Sequence, residues 1–201
     1  RTGILDILRL MGADIEMLAT REVGGEPVAD LRVRGSRLRG IDVPPELVPL
    51  AIDEFPALFI AAACAEGRTT VTGAEELRVK ESDRIAVMAD GLNALGVQAT
   101  PTADGMVIEG RGGEQAVFGA GRIASHGDHR IAMSFAMAAL RGSGPVLIDD
   151  TDNVATSFPG FPALAARAGL SIHERHAGAA QEQPVSAAHE RAGGAAGRAQ
   201  A

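Results

Sequence analysis

Residues 53–72, DEFPALFIAAACAEGRTTVT, and residues 128–149, DHRIAMSFAMAALRGSGPVLID, share one layout. Each begins with an aspartate, Asp53 or Asp128, and continues as an Ala-rich apolar stretch that reaches a glycine fourteen positions later. A short run containing β-branched residues follows each glycine. The pattern predicts a helix and then a strand, and its recurrence predicts a chain built from repeated α/β units.

The repetition extends on both sides of these stretches. Ser82 and Ser157 each stand fifteen positions after the repeated glycine, where each is expected to begin a further helix. Near the start, residues 10–13 (LMGA) match residues 94–97 (ALGV) at an offset of 84. We therefore expect the chain to start inside one unit and to contain most of two more, packed around a shared helical core. The expected units are about 1–50, 51–125 and 126–176.

Residues that favour turns and helix ends place further elements within this outline. The first helix is expected from Gly3 to Gly12, and strands on both sides of a turn at 24–27 are expected to follow it. Residues 40–45 (GIDVPP) resemble a turn. The helix that begins at Asp53 is expected to run to residue 66, where Gly67 would end it.

Composition excludes several classes of protein. Hydrophobic residues make up 46% of the chain, which is enough for a core, and no apolar stretch is long enough to span a membrane. The formal charge of −7 and the lack of Trp and Tyr argue against nucleic acid as a partner. The lone Cys64 lies in an apolar run, so we expect a small buried hydrophobe in a cytoplasmic protein.

The two ends of the chain differ from its middle. It begins at Arg1, without Met or the features of a signal peptide, and a helical pattern follows almost at once. We expect this start to be a cut within a longer protein. Residues 177–201 consist largely of Ala, Gly, Gln, Glu and Arg without apolar periodicity, which predicts a disordered tail.

The densest run of charge is at 78–84, RVKESDR, between a predicted strand and a predicted helix. Lys80 and Arg84 are four positions apart, so both cations point the same way if the helix begins early. Backbone amides at a helix N-terminus would add to a site for phosphate or carboxylate. Glu81 could exchange a proton there. The same pattern is also typical of a solvated helix start with surface ion pairs.

A second cluster, 125–130 (SHGDHR), also precedes a predicted helix. His129 and Arg130 offer another anion site with a titrating imidazole, or Asp128 simply caps the helix. We expect no metal site, because Asp128 is the only carboxylate nearby and a thiolate is lacking. Asp53 has two interpretations as well, an N-cap of its helix or a buried functional acid.

Three phrases, in this order, resemble one family: 77–84 (LRVKESDR), 127–133 (GDHRIAM) and 154–161 (VATSFPGF). They are similar to the C-terminal signatures of the 3-phosphoshikimate 1-carboxyvinyltransferase (5-enolpyruvylshikimate-3-phosphate synthase) family. The resemblance covers about residues 1–172. It implies an α/β (α+β) enolpyruvyl transferase fold of repeated βαβαββ units with buried helices and outer sheets. It also implies that residues 1–176 are an incomplete C-terminal half.

The implied reaction moves the enolpyruvyl group of phosphoenolpyruvate to the 5-hydroxyl of shikimate 3-phosphate and releases phosphate. This step belongs to the shikimate pathway, which leads to chorismate and the aromatic amino acids. The resemblance implies no metal or organic cofactor and no membrane or nucleic-acid partner. Catalysis would need the missing N-terminal half, so we expect this chain alone to be inactive.

Motif position assigns the groups that move protons. By resemblance, Asp53 would accept the hydroxyl proton and hold the shikimate ring. Glu81 would exchange a proton with the methylene carbon of phosphoenolpyruvate. Lys80 would contact the shikimate hydroxyl and the reacting phosphate. Two carboxylates in different environments suit such an addition followed by elimination.

The resemblance also assigns a clamp for phosphoenolpyruvate. Arg84 and Arg130 would bind its carboxylate and phosphate through their planar guanidinium groups, and His129 would support them. Some family members carry a lysine where this chain has Thr156, so one contact would be missing or come from elsewhere. Two alternatives stay open: a UDP-N-acetylglucosamine enolpyruvyl transferase, which should lack the phrase at 80–84, and a non-catalytic fragment.

Overall fold

The computed structural model describes residues 2–113 and 115–175. The predicted tail, 177–201, lies outside them. The helices, in chain order, are α1 (Gly3–Leu10), α2 (Phe55–Ala63), α3 (Arg84–Ala94), α4 (His129–Ala138), α5 (Asp152–Ser157) and α6 (Phe161–Arg167). The strands are β1 (Asp14–Val23), β2 (Glu26–Arg34), β3 (Glu66–Val71), β4 (Ala99–Thr102), β5 (Gly105–Arg111), β6 (Gly121–Ala124) and β7 (Val146–Asp149). Short 3-10 turns lie at Pro45–Leu47, Ile52–Glu54, Glu75–Val79 and Ala139–Arg141.

The middle of the chain forms one complete α/β unit. Arg39 and Asp42 form parallel bridges with Glu66 and Thr70 of β3, so residues 39–42 act as a leading strand and α2 as the crossover. After α3, the strands β4 and β5 complete an antiparallel sheet of order β3-β5-β4. The order from the leading strand onward is therefore βαβαββ. The expectation of a turn at 40–45 missed this strand.

The chain carries parts of two more such units. At the start, α1, β1 and β2 correspond to the last helix and hairpin of the complete unit. At the end, β6 and β7 pair in parallel with α4 as their crossover. The predicted limits near residues 50 and 125 would separate each leading strand from its helix. We propose instead that the second and third units begin near residues 38 and 118.

The core lies where α2, α3 and α4 pack together and against the central sheet. Seven of the nine residues of α2 are buried, with Phe55 and Phe59 fully enclosed. Gly91 of α3 lies against the ring of Phe135 of α4, a contact with no room for a Cβ atom. Met106 of β5 is completely buried beneath these helices. The predicted buried helical core is confirmed.

Two predicted helix limits were wrong. The helix that follows Asp53 ends at Ala63, because Glu66 already pairs with Arg111 in the sheet and the chain has to turn before it. Gly67 therefore lies inside β3, at φ +85°, and does not cap the helix. Ser157 ends α5 and begins no helix, since the backbone before Pro159 is forced into an extended conformation.

Candidate functional site

The charged phrases of the sequence meet where three helices begin. The phrase 78–84 leads into α3, the phrase 125–130 leads into α4, and the turn Ile52–Glu54 leads into α2. These three starts lie side by side because the helices pack in one bundle. The positive dipole ends of the three helices therefore share one corner of the molecule.

A buried ion pair joins the first two phrases. Asp128 accepts a hydrogen bond from Nε of Arg84 at 2.8 Å, and neither residue is exposed to solvent. The other oxygen of Asp128 accepts from the backbone amides of Arg130 and Ile131, so the same carboxylate caps α4. Ser82 donates its hydroxyl to Asp128 at 3.0 Å. One carboxylate therefore fixes both helix starts relative to each other.

The environment of Asp128 keeps it ionised. Burial alone raises the pKa of this carboxyl, but the hydrogen bond and charge of Arg84 act in the opposite direction. The hydroxyl of Ser82 and the amide of Arg130 add to this effect. The net result is a pKa below the ordinary value for aspartate, so the pair is ionic at neutral pH.

Arg84 reaches two further carboxylates. Its Nη2 lies 2.5 Å from Oε2 of Glu81, and its Nη1 lies 3.5 Å from Oδ1 of Asp53. The contact with Asp53 is an ion pair without hydrogen-bond geometry, because Nη1 has no hydrogen-bond partner among the described residues. A buried guanidinium N–H is therefore free to bind an oxygen atom of a ligand.

Lys80 lies on the other side of Asp53. Its ammonium group lies 3.5 Å from Oδ1 of Asp53 and also pairs with Glu76 one turn earlier. The hydrogen bond with Glu76 raises the pKa of Lys80 most, and the charge of Asp53 adds to it against an opposing effect of desolvation. Lys80 is therefore protonated at neutral pH.

Arg130 borders a pocket between α2 and α4. Its Nη1 donates to the backbone carbonyl of Asp53 at 2.8 Å and lies 3.7 Å from Oε1 of Glu54. The pocket, of about 210 Å³, has these polar groups at one end and apolar side chains such as Met133 elsewhere. His129 begins α4 and is half-buried, and its imidazole has no hydrogen-bond or ion-pair partner among the described residues.

A family model described as EPSP synthase (3-phosphoshikimate 1-carboxyvinyltransferase) matches residues 1–164. The chain belongs to this family. A 3-phosphoshikimate 1-carboxyvinyltransferase of Halorhodospira halophila is 67% identical over 172 residues, which are 86% of this chain and 38% of that relative. One from Xanthomonas oryzae is 58% identical over 178 residues, 89% of this chain and 39% of the relative. The chain thus spans less than half the length of these relatives.

Solved structures agree with this family. An EPSP synthase from Acinetobacter baumannii superposes with a TM-score of 0.84 at 62% identity, covering 86% of this chain and 40% of that one. The enolpyruvyl transferase NikO from Streptomyces tendae has a TM-score of 0.62 at 21% identity, covering 86% and 36% respectively, which shows a shared fold. The predicted enolpyruvyl transferase fold is confirmed. The alternative of a UDP-N-acetylglucosamine enolpyruvyl transferase is less supported, because the close relatives carry the shikimate enzyme's name.

The charged cluster of this EPSP synthase chain, where the three helix starts meet, contains more acidic than basic side chains. Lys80, Arg84 and Arg130 are the cations of the cluster. Five carboxylates face them within ion-pair or hydrogen-bond distance, from Asp53, Glu54, Glu76, Glu81 and Asp128. Among the described residues this corner therefore has a net negative charge. An anion that binds to Arg84 has to displace carboxylates or bring further cations with it.

The sequence anticipated most members of this cluster but misjudged some of their roles. Asp53 does not cap α2, which has no side-chain cap, and its carboxylate turns toward Lys80 and Arg84 instead. Asp128 does cap α4, as one interpretation had it, and it also binds Arg84. Glu76 was missed, although its position four residues before Lys80 is a signal for such a pair. Within 2–113 and 115–175, no group of three or more His, Cys, Asp or Glu side chains is arranged so that it could hold a metal ion, and no helix there is long and apolar enough to cross a membrane.

Proposed function

We propose that this chain supplies one part of an active site that transfers the enolpyruvyl group of phosphoenolpyruvate to the 5-hydroxyl of shikimate 3-phosphate. The observation that carries the proposal is the buried Arg84, whose Nη1 lacks a hydrogen-bond partner among the described residues and lies, like the ammonium of Lys80, 3.5 Å from Oδ1 of Asp53. A cation that can bind an anion (Arg84), a carboxylate that can accept a proton (Asp53) and a second cation (Lys80) therefore lie together. The names of the relatives supply the reaction.

In this proposal, each side chain has a role set by its surroundings. Asp53 accepts the proton of the 5-hydroxyl as that oxygen bonds to C2 of phosphoenolpyruvate. Glu81, whose side chain is 51% exposed, delivers a proton to the methylene carbon and takes one back when phosphate leaves. Lys80 and Arg84 stabilise the negative charge on the substrates.

Arg130 contributes the second guanidinium of the clamp in this proposal. Its bond to the backbone carbonyl of Asp53 keeps it beside the acid that moves the hydroxyl proton. The imidazole of His129, which has no hydrogen-bond or ion-pair partner among the described residues, would act on ligands rather than on neighbouring side chains. The side chain of Thr156 has no hydrogen-bond partner among the described residues. The contact that a lysine would make at this position would therefore come from another part of the protein.

We further propose that the chain is the C-terminal portion of such an enzyme. Ile15 and Ala99 are related by the offset of 84 that links the repeated units. Ile15 pairs with Val33 in the first hairpin, and Ala99 pairs with Ile108 in the second. The two hairpins therefore correspond position by position, and their matching faces can be compared.

The two matching faces differ in burial. Ile108 and Met106 of the second hairpin are fully buried, whereas Val33 and Leu31 of the first are 66% and 49% exposed. In the second unit, α2 covers this face and β3 pairs with the edge of β5. The equivalents of α2 and β3 in the first unit would precede α1. A preceding segment of a longer protein would supply them, and the same protein would supply the cations that the site lacks.

A chimera tests the proposed reaction. The matched segment of the Halorhodospira halophila relative is replaced by residues 1–172 of this chain, and phosphate release from shikimate 3-phosphate and phosphoenolpyruvate is measured. We expect a folded, active chimera, loss of activity on Asp53→Asn, and no activity from the chain alone. A folded chimera without activity, beside an active parent, would refute the proposal and favour a non-catalytic fragment.

A further inference from the structure

The segment that carries Lys80, Glu81 and Ser82 has little regular structure to hold it. It leaves β3 at Val71, makes one short 3-10 turn at Glu75–Val79, and reaches α3 only at Arg84. The placement of its side chains therefore depends on contacts with the rest of the molecule. Besides the contacts of Ser82 with Asp128 and of Lys80 with Asp53, a set of hydrogen bonds comes from the turn between β4 and β5.

Arg78 makes the central contacts between this segment and that turn. Its Nε donates to the carbonyl of Ala103 at 2.7 Å, and its Nη2 donates to the carbonyl of Thr102 at 2.5 Å. Its Nη1 donates to Oδ2 of Asp83 at 2.6 Å. Asp83 in turn caps α3 by accepting from the amide of Ala86 at 3.0 Å.

All three nitrogen atoms of this guanidinium thus have protein acceptors, in contrast with Arg84. Arg78 is not arranged to bind a substrate anion. Its planar guanidinium group instead connects the β4–β5 turn to Asp83, the cap of α3. Lys80, Glu81 and Ser82 lie in the chain between Arg78 and Asp83, the carboxylate that its Nη1 binds.

The same turn holds the beginning of the segment as well. Asp104 accepts from the amide of Gly73 at 2.7 Å, and the amide of Ala74 donates to the carbonyl of Asp104. The hydrogen bond from Gly73 is the main cause that lowers the pKa of Asp104 below its ordinary value, and it outweighs desolvation, which raises that pKa. The β4–β5 turn therefore holds the beginning of the segment directly and its end, Asp83, through Arg78.

We propose that Arg78 is a positioning residue, which holds the segment 79–83 in place so that Lys80 and Glu81 face Asp53 and Arg84. Its effect on catalysis rests on the proposed enolpyruvyl transfer. Its effect on the position of the segment is independent of that reaction. Arg78 touches none of the reacting groups and acts through the backbone between residues 79 and 83.

The test compares three variants, each made both in this chain and in the chimera. Arg78→Met removes the three hydrogen bonds and keeps the aliphatic stem, whereas Arg78→Lys retains a cation that can still reach a carbonyl. Arg68→Met is the matched control, because Arg68 pairs with Glu109 on the same sheet, away from the segment. Thermal unfolding confirms that each variant folds.

Hydrogen exchange in the chain alone reports on the segment. We expect the amides of Ala74 and Ala86 to exchange about tenfold faster in Arg78→Met. In the wild type, local opening has to break the hydrogen bonds of Arg78 as well, and in the variant it does not. The amide of Ile108 should not change, and Arg68→Met should behave as the wild type. Unchanged exchange at both reporter amides in Arg78→Met would overturn the proposal.

Kinetics of the chimera report on the catalytic consequence. Arg78→Met should lower kcat by about tenfold to a hundredfold, because misplacement by about 1 Å has an effect of that size. KM should change by less than about threefold, and Arg78→Lys should recover part of kcat. A wild-type kcat in Arg78→Met would overturn the positioning role. An inactive wild-type chimera would instead refute the proposed function, and hydrogen exchange alone would then decide the role of Arg78.

Discussion

Asp128 is the residue whose loss should affect this fold most strongly. Replacing it with alanine removes the partner of Nε of Arg84 and the side-chain cap of α4 in one step. Arg84 cannot move into water, because it is fully buried at the centre of three helix starts. Its charge would remain inside, with Glu81 and the more distant Asp53 as its remaining ion-pair partners among the described residues.

The size of the effect follows from these contacts. Removing one partner of a buried ion pair costs about 3 to 5 kcal/mol, and the lower end applies because Glu81 still binds Arg84. Loss of an aspartate cap adds about 1 kcal/mol. We therefore expect Asp128→Ala to lower the free energy of unfolding by about 4 kcal/mol. Asp128→Asn should lose less, since its single amide oxygen can still either cap α4 or accept from Arg84.

The assay is urea unfolding followed by far-UV circular dichroism, since the chain has no Trp or Tyr for fluorescence. Asp149→Ala serves as the control, because Asp149 pairs with an exposed Arg122 and its loss should cost about 1 kcal/mol or less. Adding Arg84→Met to Asp128→Ala should restore part of the stability by removing the uncompensated charge. A loss below about 1.5 kcal/mol in Asp128→Ala would refute the reasoning, since Arg84 would then not depend on Asp128.

The same pair predicts a pH dependence. The pKa of Asp128 is lower in the folded state than the ordinary value of 3.8, so the unfolded state binds the proton more readily. The stabilisation is therefore complete above that value and is lost as the pH falls through the folded pKa. The difference in unfolding free energy between the wild type and Asp128→Ala should stay level from about pH 7 to pH 5 and shrink below about pH 4.

Three further predictions concern the core. Gly91→Ala should destabilise the fold by about 1 to 3 kcal/mol in urea, because its Cβ would lie 2.2 Å from the ring of Phe135; stabilisation, usual for this change in a helix, would disprove the contact. Thr69→Val should stabilise by about 1 kcal/mol by removing a buried hydroxyl without a hydrogen-bond partner among the described residues, whereas Thr70→Val should have a smaller effect. Burial raises the pKa of the Cys64 thiol, so iodoacetamide should label the native chain at least about tenfold more slowly than the urea-unfolded chain, and equal rates would contradict this burial.

The sequence was informative where local rules act alone. The Ala-rich stretches after Asp53 and Asp128 predicted helices, and their repetition predicted related units, because apolar residues on all faces of a helix require burial. The leading strand 39–42 was missed because it has only isolated bridges to β3, which depend on a partner more than twenty positions away. Helix ends near Gly67 failed for the same reason, since sheet pairing decides where α2 stops.

The site shows a similar division. Spacing within the phrase 78–84 indicated that Lys80 and Arg84 belong together, but it did not show that Asp128 is their organising acid. That contact joins residues 44 positions apart in the chain. The excess of carboxylates in the cluster was equally hidden, because it arises only when three helix starts converge. The family resemblance provided substrates, which neither charge nor spacing could provide.

The β1–β2 hairpin should make this chain prone to aggregation. One of its faces carries apolar pairs such as Met17 with Leu31, and the other carries charged pairs such as Glu16 with Arg32. The outer edge of β2 has no partner strand among the described residues, so its peptide groups can bind another chain. Concentrated samples should therefore aggregate through this hairpin. Salt should promote that aggregation by screening the repulsion between chains that each carry a formal net charge of −7.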